Sequence, residues 1–317
     1  MAKNNFFLSV VIPVYNEAGN IKALLARLMP TVEKYRYEIL FVNDGSTDST
    51  VSDIKVECAK SPSIKLLSFS RNFGHQNALS AGYHYAKGDC VITIDADLQD
   101  PPELIDKMIV VWQKGFEIVY AHRRSRKTDS FFKKSTAWVF YWFINQVSEV
   151  AIPTDVGDYR LLDRSVVEFL NGLPEYARFL RGLVAWSGYK TTYVDFDRDT
   201  RHSGNTHYPF RKMLSFAVTG ITAFSTRPLR VVVYFGFLTA TVGLMGMLYA
   251  FIRRFLLPHE YWVTGWTAIF VSITFFAGVQ IFILGVIGEY IGRIFTQVQG
   301  RPLYLVKETI NIDTSSN

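Results

Sequence analysis

The chain has 317 residues, with 34 Lys and Arg against 28 Asp and Glu, a formal net charge of +6 and a hydrophobic fraction of 49%. This length accommodates one large domain with an appendage, or two domains. Only two cysteines are present, which argues against a disulfide framework and against a cysteine-based metal site. The mild basic excess lacks a basic stripe interleaved with base-stacking aromatic residues, so nucleic acid is not an expected partner.

Strand and helix patterns alternate along residues 8–120. The run 8–14 is apolar and β-branched, and apolar residues then recur at helical spacing over 21–29, until Pro30. Strands separated by helices of this length predict right-handed crossovers and a mainly parallel α/β sheet with helices on both faces. Further strands are predicted at 38–42, 64–69, 90–94 and 117–120, and further helices at 48–60, 76–87 and 101–114.

The middle of the chain gives weaker local patterns. Residues 164–187 have helical spacing and 190–197 resemble another strand. Residues 129–148 are rich in aromatic side chains, and two interpretations stay open: a helix of the core, or a helix on a membrane surface.

Two long apolar segments follow residue 228. Residues 229–252, which are uncharged apart from Arg230, and residues 266–287 are each long enough to cross a hydrocarbon core of about 30 Å. Buried helices of a soluble protein are the alternative, but two such lengths joined by an aromatic, arginine-bearing loop favour a pair of transmembrane helices. Aromatic residues near the ends of the spans are typical of membrane interfaces. They are Tyr261, Trp262, Trp266 and Tyr290.

Positive charges predict the orientation of this pair. The loop between the spans has Arg253 and Arg254, whereas more cations lie outside the pair, so the N-terminal domain is expected to face the cytoplasm. The segment 208–228 is basic at its start and apolar afterwards, which predicts an interfacial amphipathic helix. The flanking cations are Arg211, Lys212, Arg227, Arg230, Arg293, Arg301 and Lys307.

Two carboxylates follow the predicted strand 90–94. In extended chain, Asp95 and Asp97 project to the same side of Ala96. Hard oxygen ligands without His or Cys suit Mg²⁺ or Mn²⁺, and an ion with few protein ligands keeps positions for phosphate oxygens. Acidic residues also end strands for structural reasons, so this pair gains weight only from its context.

The first two strands also end in polar groups. Residues 13–17 supply the Tyr15 ring, which suits stacking on a base, and the Glu17 carboxylate, which suits sugar hydroxyls. Residues 43–48 supply Asp44 and a cluster that suits ribose or base hydrogen bonds, and this cluster also provides a turn and a helix cap. Three strand ends are therefore expected to line one crevice, where parallel sheets bind ligands.

Five segments carry a resemblance to a known family. They are VVIPVYNEAGNI, VNDGSTDST, RNFGHQNALSAGYHYAKGD, TIDADLQDPPE and GDYRLLDR. Over about residues 8–215 the chain resembles family 2 glycosyltransferases with the Rossmann-like GT-A fold. It is most similar to the polyprenyl-phosphate glycosyltransferases, which include bactoprenol glucosyltransferases and dolichyl-phosphate mannose synthases.

The resemblance implies a role for each matching residue. The nucleotide sugar is assigned to Pro13, Tyr15, Glu17, Asp44, Asp95, Ala96 and Arg123, and the Mg²⁺ or Mn²⁺ ion to Asp97 and Gln99.

Asp158 corresponds to the acidic residue beside the sugar that is regarded as the family's catalytic base. We expect Asp158 to orient the substrate more than to remove a proton. The structural alternative is that Asp158 is a loop residue that caps the helix near 164. Arg201 begins a segment resembling an acceptor-phosphate motif, in which His207 replaces the family's frequent lysine. The cations expected at the acceptor phosphate are Lys133, Lys134, Arg201 and Arg211.

The implied activity is the inverting transfer of a hexose, glucose from UDP-glucose, to undecaprenyl phosphate at the bacterial inner membrane. Donors of the GDP-mannose or UDP-aminoarabinose type are alternatives. A processive polysaccharide synthase normally has a QxxRW-like motif and more spans, and a non-catalytic nucleotide-binding protein would not need Asp95, Asp97 and Asp158. Two spans are compatible with a homo-oligomer.

The expected parts are a cytoplasmic catalytic domain (1–207), the interfacial helix (208–228), two transmembrane helices (229–290) and a cytoplasmic tail (291–317).

Overall fold

The computed structural model describes residues 5–123, 156–197, 227–256 and 265–313. The chain forms two compact units, Met1–Gly220 together with Arg301–Asn317, and Ile221–Gly300. Several predictions lie outside the described residues: the aromatic segment 129–148, all but the end of the interfacial helix 208–228, and the proposed acceptor cations. Those cations are Lys133, Lys134, Arg201 and Arg211.

The first unit contains an eight-stranded sheet. Its strands are β1 (Phe7–Val14), β2 (Arg36–Asn43), β3 (Ile64–Phe69), β4 (Cys90–Thr93), β5 (Ile118–Arg123), β6 (Val156–Asp163), β7 (Thr191–Phe196) and β8 (Val306–Ile310). Their order is β7-β5-β6-β4-β1-β2-β3-β8. Strands β4, β1, β2 and β3 run parallel, so their carboxyl ends share one edge, as expected.

Helices connect most of these strands. They are α1 (Ile21–Val32), α2 (Thr50–Lys60), α3 (His75–Tyr85), α4 (Leu104–Trp112), α5 (Arg164–Gly172) and α6 (Leu180–Trp186). The predicted stop of α1 at Pro30 is wrong, because the helix continues and buries Thr31 and Val32. The single helical segment predicted over 164–187 is two helices. Helix α3 lies close to the sheet, since a Cβ atom at Gly82 would be 2.2 Å from Val11 Cγ1.

The local sequence pattern does not predict strand β6. It lies between β4 and β5 and is antiparallel to both, with Thr93 opposite Arg160. All but its last residue are buried, including the charged Asp158 and Arg160, which are residue types that seldom occur inside a buried strand. The alternative in which Asp158 is a loop residue capping the next helix is wrong: Asp158 is inside β6, and Asp163 caps α5 by accepting a hydrogen bond from Ser165 N at 3.1 Å.

The predicted C-terminal tail also contributes to the sheet. Strand β8 pairs antiparallel with the edge strand β3. The Tyr304 ring stacks on Phe69 with 4.9 Å between centroids, and Lys55 Nζ lies 2.7 Å from Glu308 Oε1. Residues 291–317 are therefore more than a tail, because part of this segment completes one edge of the first unit.

The second unit contains two long helices, α7 (Arg227–Leu256) and α8 (Trp266–Val298), which contact each other. Both are long and apolar enough to span a membrane. The candidate spans are Leu229–Gly246, with a mean hydropathy of 1.6, and Ser272–Val298, with 1.7, and neither is buried within the protein. Helix α8 extends beyond the predicted end of the second span at 287.

Asn311 links the C-terminal segment to the start of β3. Its backbone is left-handed (φ 58°), and its Nδ2 donates to the carbonyl oxygens of Cys58, Ser61 and Ile64 at 3.0, 3.3 and 2.8 Å. We predict that Asn311→Gly, which keeps the backbone conformation but removes the amide, destabilises the fold by about 1–2 kcal/mol. Thermal melts of the purified protein should show a lower Tm for this variant. Exposed Asp313→Ala is the control, and equal melting of both variants would contradict the anchoring role.

Candidate active site

Asp95, predicted to contact the nucleotide, and Asp97, predicted to hold the metal, follow the carboxyl end of β4. Leu98, which follows them, has a left-handed backbone (φ 61°), an uncommon conformation for a residue with a branched side chain. The turn it makes allows Gln99 N to donate to Asp97 Oδ1 at 3.1 Å. Asp97 is largely buried. The strained turn therefore fixes the Asp97 carboxylate against the end of the sheet.

Asp158 is surrounded by cations. Arg181 Nε and Nη2 lie 3.2 and 3.1 Å from its Oδ1 and Oδ2, a two-pronged contact. His75 Nε2 is 3.2 Å from Oδ2, and Arg160 Nη2 is 3.4 Å from Oδ1. Three segments, α3, β6 and α6, thus meet at one carboxylate.

Arg160 supports this carboxylate from inside the protein. Its side chain is fully buried, and its Nε donates to Tyr83 Oη at 3.3 Å. The Asp158 backbone is also fixed, because Thr93 Oγ1 donates to the Asp158 carbonyl oxygen. The position of Asp158 is therefore set by the sheet as well as by its salt bridges.

These contacts shift the pKa values of the cluster. Burial alone would raise the pKa of Asp158, but Arg181, the His75 hydrogen bond and Arg160 hold it well below the usual carboxyl value. Partial desolvation disfavours protonation of His75, whose side chain is 44% exposed, yet its bond to Asp158 and the charges of Asp95 and Asp158 raise its pKa. Burial raises the pKa of Asp95, and although His75 and Arg181 oppose this rise, Asp158 and Asp97 add to it. Asp95, Asp158, His75 and Arg181 are thus electrostatically linked.

Asp44 holds the loop that precedes α3. Its Oδ1 accepts from Phe73 N at 2.6 Å, and its Oδ2 accepts from Gly74 N at 3.0 Å. Gly45 (φ 72°) makes the approach possible, because a Cβ atom there would be 2.4 Å from the carbonyl carbon of Arg71. In this structure Asp44 positions the segment that begins with His75, and its contact with a nucleotide stays a prediction.

The other predicted nucleotide residues occupy the neighbouring strand end. Pro13 is buried within β1, whereas the Tyr15 ring is 47% exposed and accessible for stacking. Asn16 Oδ1 accepts from Thr47 N at 2.9 Å, which joins the ends of β1 and β2. The Glu17 carboxylate accepts a hydrogen bond from Asn20 Nδ2, immediately before α1.

Arg123 ends β5 on the side of β6. Its Nη2 is 3.9 Å from Asp100 Oδ1, and a Cβ atom at Gly157 would be 3.0 Å from the same nitrogen. The absence of a side chain at Gly157 therefore leaves room for this guanidinium beside the strand that carries Asp158. Ala96, which lies between Asp95 and Asp97 in the sequence, is buried.

The sequence motifs predict no role for three residues of this site, His75, Arg160 and Arg181. His75 and Arg160 lie inside segments that carry the family resemblance, whereas Arg181 lies outside them. The available signal for Arg181 is that it is the single charged residue in the apolar run FLRGLVAW. Among the described residues no group of three or more His, Cys, Asp or Glu side chains is arranged to hold a metal alone.

Two protein-family models match this chain. The model of glycosyl transferase family 2 matches residues 9–170, and that of the GtrB C-terminal hairpin matches residues 227–294. The chain belongs to glycosyl transferase family 2. The predicted family, the α/β fold and the glycosyltransferase activity are thereby confirmed.

Relatives align over nearly the whole chain. The glycosyltransferase YkcC of Bacillus subtilis is 46% identical over 308 residues, which are 96% of this chain and 94% of the relative. A bactoprenol glucosyl transferase of Shigella phage SfII is 41% identical over 304 residues, or 95% and 98% of the two chains. A more distant likeness is to glucosyl-3-phosphoglycerate synthase of Mycobacterium tuberculosis, with a TM-score of 0.49, 18% identity and 70% and 79% coverage. That likeness is too remote to inform residue roles.

The raised pKa of His75 predicts a pH-dependent stability. Protonated His75 stabilises the folded state, so its contribution is fully present below pH of about 6.5 and is lost as the pH rises through the higher folded value. Melting curves between pH 5.5 and about 9 should show this decline in the wild type and a flatter profile for His75→Gln. The control is His84→Gln, at an exposed position of the same helix. Parallel pH profiles for wild type and His75→Gln would contradict the coupling to Asp158.

Proposed function

We propose that this enzyme transfers glucose from UDP-glucose to a polyprenyl phosphate, undecaprenyl phosphate, with inversion at the anomeric carbon. The similarity to a bactoprenol glucosyl transferase, which extends over 98% of that relative, supports the acceptor and the sugar. The observation that carries the proposal is the site itself: carboxylates suited to a metal-bound diphosphate follow β4, and the neighbouring strand β6 carries Asp158 with its cations. Such a site suits two anionic substrates that must meet.

The donor side fits a divalent ion. The pKa of Asp95 is raised by burial and, despite His75 and Arg181, by the nearby Asp158 and Asp97 carboxylates, which indicates negative charge that a cation would offset. We assign Mg²⁺ or Mn²⁺ to Asp97 and Gln99, with Asp95 at the nucleotide, and substrate phosphates complete the coordination. When bound, the ion would offset the charge that develops on the leaving diphosphate.

The transfer step needs little proton chemistry. A phosphate oxygen of the acceptor forms the new bond to C1 while the bond from C1 to the diphosphate breaks, and UDP leaves with the electron pair. A phosphomonoester with a second pKa of about 6 is mostly dianionic at neutral pH, so it is already a nucleophile. Asp158 is a poor proton acceptor because its pKa is held low. Its function is to position neighbouring groups.

The two candidate spans give the reaction its location. We assign this enzyme to the bacterial inner membrane as a multi-pass protein with a cytoplasmic catalytic domain, because the positive charges lie mainly outside the helix pair. An acceptor embedded in the same bilayer then reaches the enzyme by lateral diffusion. Lys133, Lys134, Arg201 and Arg211 stay candidates for its phosphate, and association of copies through the spans stays an expectation.

A donor panel tests the proposal. The full-length protein in detergent is incubated with undecaprenyl phosphate, Mn²⁺ or Mg²⁺, and labelled UDP-glucose, UDP-galactose, UDP-N-acetylglucosamine, UDP-aminoarabinose or GDP-mannose. We expect label from UDP-glucose to enter the organic phase. Preferential transfer from another donor would replace glucose as the assigned sugar, and products with more than one sugar would indicate a processive synthase. The absence of transfer from every donor would refute the proposal.

The metal assignment predicts a specific loss. Asp97→Asn removes one charged ligand while keeping the shape of the side chain, and we expect turnover to fall about 100-fold or more and the required Mn²⁺ concentration to rise. Initial rates across a Mn²⁺ titration measure both effects. Asp106→Asn, on α4 and paired with Lys34, is the matched control. Full activity of Asp97→Asn, or of the wild type in excess chelator, would exclude the metal.

A further inference from the structure

Two cationic side chains cover Asp158 on its accessible side. We propose that Arg181 and His75 form a binding subsite for a substrate phosphate group, and that Asp158 is the positioning residue that holds both. The inference deepens the proposed function and rests on it for the nature of the substrates.

Exposure distinguishes the anchor from the groups that a ligand would meet. The Asp158 side chain is 7% exposed, whereas that of Arg181 is 28% exposed and that of His75 is 44% exposed. An arriving substrate therefore meets the guanidinium and the imidazole before the carboxylate. A general base would need its oxygen directed at the substrate, and here both oxygens are engaged by cations.

Counted over Asp158 and its three cationic partners alone, the charges do not cancel. Asp158 supplies one negative charge, and buried Arg160 can balance it from the protein interior. Arg181 adds a further positive charge, and protonated His75 adds another. Arg181 and protonated His75 both contact Oδ2 of Asp158 and repel each other, so a bound anion would offset part of this repulsion.

The two cations are fixed before any ligand arrives. The Gln76 side chain accepts from Leu180 N at 3.0 Å, which connects the first turn of α3 to the start of α6. Arg178 Nη1 and Nη2 donate to the carbonyl oxygens of Leu170 and Leu173 at 3.1 and 2.7 Å, which fixes the segment before α6. A rigid pair loses little side-chain entropy on binding, so most of the interaction energy contributes to affinity.

Phosphate is the anion that this pair suits. Guanidinium groups bind phosphoryl oxygens with strong, charge-assisted hydrogen bonds, and Asp158 lies in β6, the strand that pairs with β4 and its terminal aspartates. Two groups of the reaction have this chemistry: the diphosphate of the donor and the phosphomonoester of the lipid acceptor. The experiment below separates them.

Binding is measured without turnover, on the full-length protein in detergent. The probes are UDP with Mn²⁺ for the donor diphosphate and farnesyl phosphate for the acceptor phosphomonoester. We expect Arg181→Gln and His75→Gln to weaken binding of one probe about tenfold or more. Arg181→Lys keeps the positive charge but removes the two-pronged guanidinium, so it should lower the affinity less. It replaces Arg181→Gln in the measurement if that variant does not fold. The controls are Arg36→Gln, at the opposite end of β2, and His84→Gln.

Asp158→Asn separates anchoring from base catalysis. As an anchor, Asp158 affects ligand affinity, so this variant should weaken the same probe as Arg181→Gln and raise the KM of the corresponding substrate. Unchanged affinity for both probes in folded Arg181 and His75 variants, or a fall in kcat alone for Asp158→Asn, would overturn the inference. Because the probe measurements need no sugar transfer, a wild type that binds them through Arg181 but transfers no sugar would refute the proposed function and keep the subsite.

Discussion

A buried carboxylate at the edge of a sheet needs partners, and the partners of Asp158 determine much of this site. Desolvation of an ion costs several kcal/mol unless opposite charges and hydrogen bonds compensate it. Here the compensation comes from Arg160 on the same strand, His75 at the start of α3 and Arg181 in α6. The ionised Asp158 carboxylate is stabilised only when α3 and α6 bring His75 and Arg181 against it. The charge of this one residue therefore fixes how the two helices lie beside the crevice.

The same constraint divides the chemistry between two groups of residues. Asp95 and Asp97 gather negative charge at the end of β4, while the Asp158 cluster gathers positive charge beside it. For the proposed reaction this separation would be useful, because a metal-bound diphosphate and an anionic acceptor would both be accommodated without strong mutual repulsion. Antiparallel β6 makes it possible: its direction places Asp158 beyond Arg160, toward the carboxyl end of β4.

In the described part of the chain, the sheet contains seven strands that precede the two long apolar helices and one, β8, that follows them. Strand β8 follows α8 in the chain and pairs with β3, and Lys55 meets Glu308 across 253 residues of sequence. A pairing of this separation carries a large loop-closure entropy, which the Tyr304 stack, the ion pair and the Asn311 bonds offset. The helix pair is thus an insertion between two parts of one compact unit.

The sequence by itself determined the features that depend on local pattern. Apolar runs and helical spacing predicted β1 to β5 and β7, the helices between β1 and β5, the aspartates after β4, and the two long apolar helices, because each is encoded within a short segment. Tertiary structure decided the rest. β6 and β8 are recognisable only by their partners in the sheet, and Asp158 receives its cations from positions as far as 83 residues away in the chain. Charge compensation of a buried group depends on proximity in space, which no local pattern records.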